Sequence, residues 1–97
     1  RVLNTHMGRN FSGGLEAAID FAAHPAIPED LSTVTIHTSS NRGTVTAGVL
    51  QRNPQTGGVR LDFGFEPPEG RAQEMRAQLL VDGRTVSEVW MYRWTPA

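Results

Sequence analysis

Apolar and polar residues alternate with a period of two along most of this chain, the spacing at which a β-strand buries one face and solvates the other. Leu15, Ala17, Ile19 and Phe21 alternate with Glu16, Ala18 and Asp20, which predicts a first strand. Val34, Ile36 and Thr38 alternate with Thr35 and His37 in a second, and Asn41, Arg42 and Gly43 turn tightly into a third holding Val45, Ala47 and Val49. The clearest strand follows, with Val59, Leu61, Phe63 and Phe65 facing one way and Arg60, Asp62 and Gly64 the other. Met75, Ala77, Leu79 and Val81 predict a fifth strand, and a last one runs from about Thr85 to Trp94.

Turn chemistry punctuates this pattern. Pro25 and Pro28 cannot donate a ladder hydrogen bond, so His24 to Asp30 reads as a loop that carries the chain to another sheet. Pro54 with Gly57 and Gly58 makes a second break, and Pro67, Pro68 and Gly70 end the clearest strand. Asp82-Gly83 is a short-range hairpin signal, because a type I′ turn needs positive φ at both central positions. Only Glu69 to Leu80 could be argued as helix, and the alternation from Met75 to Val81 favours strand there. Arg1 to Gly14 mixes Asn4, Gly8, Asn10, Ser12, Gly13 and Gly14 with few apolar residues and reads as an irregular lead-in. Short strands with turn signals every 8–12 residues, roughly, predict a two-sheet antiparallel sandwich.

A length of 97 residues allows one core. No apolar run approaches the roughly 18–20 residues that span a bilayer as a helix, and no signal peptide is visible. The chain starts at Arg1 rather than Met and reads as a piece of a longer protein. Nine cations, all arginine, and ten acids give a net charge of −1 without a basic run, which argues against nucleic-acid binding. Cysteine is absent, so disulfides, thiolate catalysis and zinc–thiolate sites are excluded together.

Few residues suggest chemistry. Glu16 and Asp20 fall on the polar face of one strand and Glu66 and Glu69 in a loop, so the carboxylates read as solvated surface charge rather than a catalytic pair. His6, His24 and His37 lack metal-ligand spacing. Ser12 and Ser87 sit in no nucleophile elbow, and Gly57-Gly58 begins no phosphate loop. No cofactor, metal or catalytic residue is therefore expected. Trp90, Tyr92 and Trp94 stand out, since alternation puts all three on one face of the last strand. They could fill the core, cover a neighbouring domain, or stack on sugar rings. The core reading leads, with Ile19, Phe21, Val34, Ile36, Leu61, Phe63, Leu79 and Trp90 as the expected buried set.

Four segments carry a family resemblance: Ala18-Ile19-Asp20-Phe21, the run from Gln51 to Leu61, Glu74-Met75-Arg76-Ala77, and the run from Val86 to Trp94. In this order and spacing they resemble the C-terminal domain of the bacterial glucan biosynthesis protein G/D family, periplasmic proteins needed to make osmoregulated periplasmic glucans. The resemblance implies an all-β, immunoglobulin-like sandwich over residues 15–97, with residues 1–14 as the connector end of a missing N-terminal β-sandwich domain. It implies a periplasmic setting and an accessory role, packing on that glucan-handling domain or docking partner proteins, with a membrane glucosyltransferase as one candidate. β-Glucan would be met through the parent protein, whose own activity would be glucan synthesis or hydrolysis in the missing domain. The alternative is a carbohydrate-binding module using Trp90, Tyr92 and Trp94 as its platform.

Overall fold

The computed structural model describes residues 1–96, so the expected domain end at position 97 lies outside the described residues. Two antiparallel sheets enclose one core. The first is built from β1 (Val2–Arg9), β2 (Leu15–Phe21) and β6 (Val59–Glu66), with β4 (Thr44–Val45) and β5 (Val49–Arg52) both pairing with β6. The second is built from β3 (Thr35–Ser40) and β7 (Gln73–Val81), with β8 (Arg84–Thr85) and β9 (Trp90–Trp94) both pairing with β7. Among the described residues, the one helical piece is a 3-10 turn at Leu31–Thr33, capped by the Asp30 carboxylate accepting from the Ser32 amide. This is the expected all-β sandwich, and it is consistent with an immunoglobulin-like fold.

The alternating rows sit where the pattern puts them. Ile19 lies opposite Leu61, Ala17 opposite Phe63, and Phe21 opposite Val59 across β2 and β6. From the other sheet Met75, Ala77, Leu79 and Trp90 face them, and Phe65, Ile27 and Val34 complete the buried apolar set. Seven of the eight expected core residues are buried, while Ile36 packs against the core half-buried on edge strand β3. The Pro-rich segment after Phe21 takes the chain from the first sheet to the second, as expected. Asp82 and Gly83 both take positive φ, 51° and 76°, joining Val81 to Arg84 in the two-residue hairpin their sequence predicts.

Three expectations are corrected. Val2–Arg9 is not an irregular lead-in but a full strand, paired with β2 from Arg9↔Leu15 to Val2↔Phe21. A register shift between Val2 and Asn4 breaks the period of two, so the inward residues are Val2, Thr5 and Met7 rather than a regular series. The third strand is likewise split into β4 and β5. A Cβ at Gly48 would press on the Leu61 and Ile36 side chains, so the backbone there lies close against the core. Beyond it Leu50 pairs with Leu61 and faces inward, which leaves Val49 and Ala47 exposed. Thr46 spans the gap, its amide donating to the Gly64 carbonyl (2.8 Å) and its hydroxyl accepting from the Gly64 amide (2.7 Å).

The last strand is split too, into β8 and β9. Across its break the Val86 amide donates to the Leu79 carbonyl (2.9 Å), and the Ser87 hydroxyl accepts from the Leu79 amide (2.9 Å). The ladder on β7 thus stays satisfied where its neighbour strand leaves it. Gln73, fully buried, ties the two sheets at one end of the sandwich: its Nε2 donates to the Ser40 hydroxyl (2.8 Å) and the Thr44 carbonyl (3.1 Å).

Phe63 sits at the centre of this core, edge-on to Trp90 with ring centroids 5.8 Å apart. Phe63→Ala is expected to cost about 3–5 kcal/mol, a large share of the roughly 5–15 kcal/mol available to a domain. Urea unfolding measures this, and a loss below about 1 kcal/mol would place the ring outside the packed interior.

Candidate functional site

The aromatic row on β9 is held by its pairing with β7, where Trp90 lies opposite Ala77, Tyr92 opposite Met75 and Trp94 opposite Gln73. These partners all face inward, so the row turns toward the first sheet. Trp90 is buried, and its indole N–H donates to the Thr5 hydroxyl of β1 (3.0 Å). Tyr92 stacks on Trp90 with planes 7° apart and centroids 5.7 Å apart, and remains 38% exposed at the rim. Trp94 is half-buried, edge-on to Phe65 at 6.2 Å. The row therefore runs from core to rim and offers no continuous flat surface. Met91 and Arg93 occupy the opposite, outer face and are exposed.

That outer face of the second sheet holds a groove of about 580 Å³ lined by Asn41, Glu74, Arg76, Met91 and Arg93 among others. Arg93 donates to the Glu74 carboxylate (2.7 Å), and the Glu74 amide donates to the Asn41 carboxamide oxygen (2.9 Å). On the outer face of the first sheet, the surface-charge reading of Asp20 is corrected. Asp20 is 3% exposed and accepts two hydrogen bonds from Arg60, from Nε at 2.7 Å and from Nη2 at 2.9 Å. Asp20 and Arg60 are cross-strand partners, so the register itself brings them together. The Arg60 guanidinium holds the Asp20 carboxyl below the usual carboxylate range, against the opposing effect of burial, and His6 and Asn53 act in the same direction as Arg60. His6 Nε2 lies 3.7 Å from the Asp20 carboxylate.

The other residues that could suggest chemistry remain apart. His24 Nδ1 accepts from the Ala26 amide (3.0 Å) within its loop, and His37 lies exposed on β3. The Ser87 hydroxyl is engaged with the backbone of Leu79 and Glu88. Among the described residues no three His, Asp or Glu side chains converge to hold a metal ion. What the arrangement brings together is a stacked aromatic pair and the hydrogen-bonded Asp20–Arg60 pair.

The family model described as periplasmic glucan biosynthesis protein, MdoG, matches residues 1–94. The chain belongs to the MdoG family. The family match begins at residue 1 and so takes in β1, in keeping with the pairing of that strand to β2. Glucans biosynthesis protein G 2 of Shewanella oneidensis is 31% identical over 94 residues, which are 97% of this chain and 17% of that protein. Glucans biosynthesis protein G of Vibrio cholerae is 36% identical over 77 residues, 79% of this chain and 14% of that protein. The protein of the same name from Rhodopseudomonas palustris is 47% identical over 57 residues, 59% of this chain and 11% of that protein. The chain thus spans less than a fifth of the length of these relatives.

One surface feature of this chain escapes a reading by alternation. Phe11 is fully exposed at the tip of the turn joining β1 to β2. Its only signal in the sequence is an aromatic placed within a turn-forming tract, Asn10-Phe11-Ser12-Gly13-Gly14.

The Asp20–Arg60 pair carries a pH prediction. Because folding holds the carboxyl below its unfolded value, its stabilisation is full above the unfolded carboxylate range and is lost as pH falls through the lowered value. Urea midpoints are expected to fall from about pH 5 downward, and Asp20→Asn is expected to flatten that fall while lowering the midpoint at neutral pH. An unchanged acid limb in Asp20→Asn would show that the pair contributes nothing to it.

Proposed function

We propose that this MdoG-family chain is a non-catalytic accessory domain of a longer periplasmic protein that makes or processes osmoregulated periplasmic β-glucan. It acts by packing on the glucan-handling, β-sandwich part of the same polypeptide, and a membrane glucosyltransferase is a candidate for further docking. The observation that carries this reading is the unfinished end of the sandwich. Trp94, the last aromatic of β9, is half-buried against Phe65, and Leu15 beside them is also only partly covered. Support comes from the family match over nearly the whole chain, together with the small share of each relative that the chain covers. The carbohydrate-binding alternative draws less support, because Trp90 lies in the core and leaves Tyr92 and Trp94 as a broken, partly covered pair.

Two measurements test this. A half-covered aromatic stabilises more when the rest of its cover is present. Trp94→Ala is therefore expected to lower the melting temperature of the full-length parent more than that of the 97-residue chain. Equal losses would make Trp94 ordinary core and remove the docking reading's chief residue. Separately, the isolated chain is expected neither to be retarded in a gel containing linear β-glucan nor to release reducing sugar from it. Retardation abolished by Tyr92→Ala would instead establish the binding-module alternative, and sugar release lost on mutating one carboxylate would establish an enzyme.

A further inference from the structure

The turn between β1 and β2 is rigidly wired, yet it presents a bare phenyl ring. The Asn10 carboxamide oxygen accepts from the Ser12 and Gly14 amides, both at 3.0 Å, and the Asn10 amide donates to the Gly14 carbonyl at 2.9 Å. Gly13, at φ 82°, donates to the Asn10 carbonyl (3.0 Å), while the Arg9 guanidinium donates to the Gly13 carbonyl (2.8 Å). Phe11 is thus carried on a preformed support, the condition under which an anchor loses little freedom on binding. Beside the turn lies a depression of about 270 Å³ lined by Gly13, Gly14, Leu15, Phe65 and Pro67 among others. Trp94 packs on Phe65 at this same end.

We propose that the Phe11 hairpin is the docking knob of this domain, inserting into an apolar pocket on the remainder of the same polypeptide, with Leu15 and Trp94 at the edge of the contact. The inference rests on the accessory reading above and names the surface that serves it. Two observations choose this occupant over a second copy or a free protein. One ring and one small depression fall well short of the roughly 800 Å² per partner that stable separate chains bury. A tethered neighbour needs less, since linkage supplies an effective concentration in about the millimolar range. The matched stretch is 17% of the length of the Shewanella relative, which leaves ample polypeptide to provide the pocket. From a neighbour joined ahead of Val2 the hairpin tip lies the length of β1 away, roughly 25 Å, so the contact lays that neighbour along the edge of the first sheet.

The test is photocrosslinking in the full-length polypeptide, with p-benzoylphenylalanine in place of Phe11, of Trp94, or of the exposed Val49 as a control. The expected result is an intramolecular crosslink from position 11 to residues outside these 97, at several times the yield from position 49. A crosslink from position 94 but none above control from position 11 would overturn the knob and leave the accessory reading standing. Control-level yields at both positions would remove both. A crosslinked dimer from position 11 would reassign the surface to a second copy of the chain.

Discussion

Register between β2 and β6 is the constraint on which the rest of the sandwich depends. On the inner face it sets Ala17, Ile19 and Phe21 against Phe63, Leu61 and Val59, the centre of the core. On the outer face the same register sets Asp20 against Arg60, at bidentate hydrogen-bonding distance. A slip of one residue would turn the apolar row to solvent and part the ion pair in the same movement. Two unlike interactions, one non-directional and one strict in geometry, therefore specify a single alignment. Both outer neighbours of this central pair, β1 on one side and β4 with β5 on the other, inherit their positions from it.

The sandwich is closed along one side by polar contacts rather than by a strand ladder. Trp90 of β9 reaches Thr5 of β1, and the Val2 amide donates to the Glu88 carboxylate (2.7 Å) just before β9 begins. A threonine on the inner face of β1 looks out of place in an apolar row, yet it supplies the acceptor that a buried indole N–H requires. The opposite side is joined by Gln73, whose amide bridges Ser40 of β3 and Thr44 of β4. Burial between the sheets thus comes from the alternating rows, while these few directional bonds fix how one sheet sits on the other.

What could be read from the sequence follows from this division. Strands whose inner faces are apolar, β2, β6 and β7 beyond its first residue Gln73, show the period of two without interruption and were legible with their facing. β1 was not, because its register shift and inward Thr5 erase the period that would have revealed it. The run from Val45 to Val49 shows the period falsely: Gly48 lies against Leu61 and Ile36, and the backbone changes face there. Asp20 was legible as an outer-face residue but not as a buried one, since burial on that face comes from Arg60 across the strand pair. The aromatics of β9 were recognisable as the outstanding residues. Whether they covered a core or a neighbour depended on how β9 sits over Phe63 and Phe65, which no spacing encodes.

The distribution of aromatic groups between the ends of the sandwich bears on the proposed packing against a neighbour. A domain of this size buries a modest share of its chain and has little stability to spare, so exposed aromatic surface is seldom neutral. At the end where β2 finishes, Phe21 is sealed and the turn from Asn53 to Gly58 folds back on itself through the Asn53 amide and the Gly58 carbonyl (2.9 Å). Gly58 is pressed so closely on the Phe21 carbonyl that any side chain there would collide with it. At the end where β9 finishes, closure is partial, with Trp94 half-covered and the Phe11 ring standing free on its hydrogen-bonded turn. That difference in aromatic cover is what the proposed docking would relieve, because a neighbour seated at the open end would recover the missing burial.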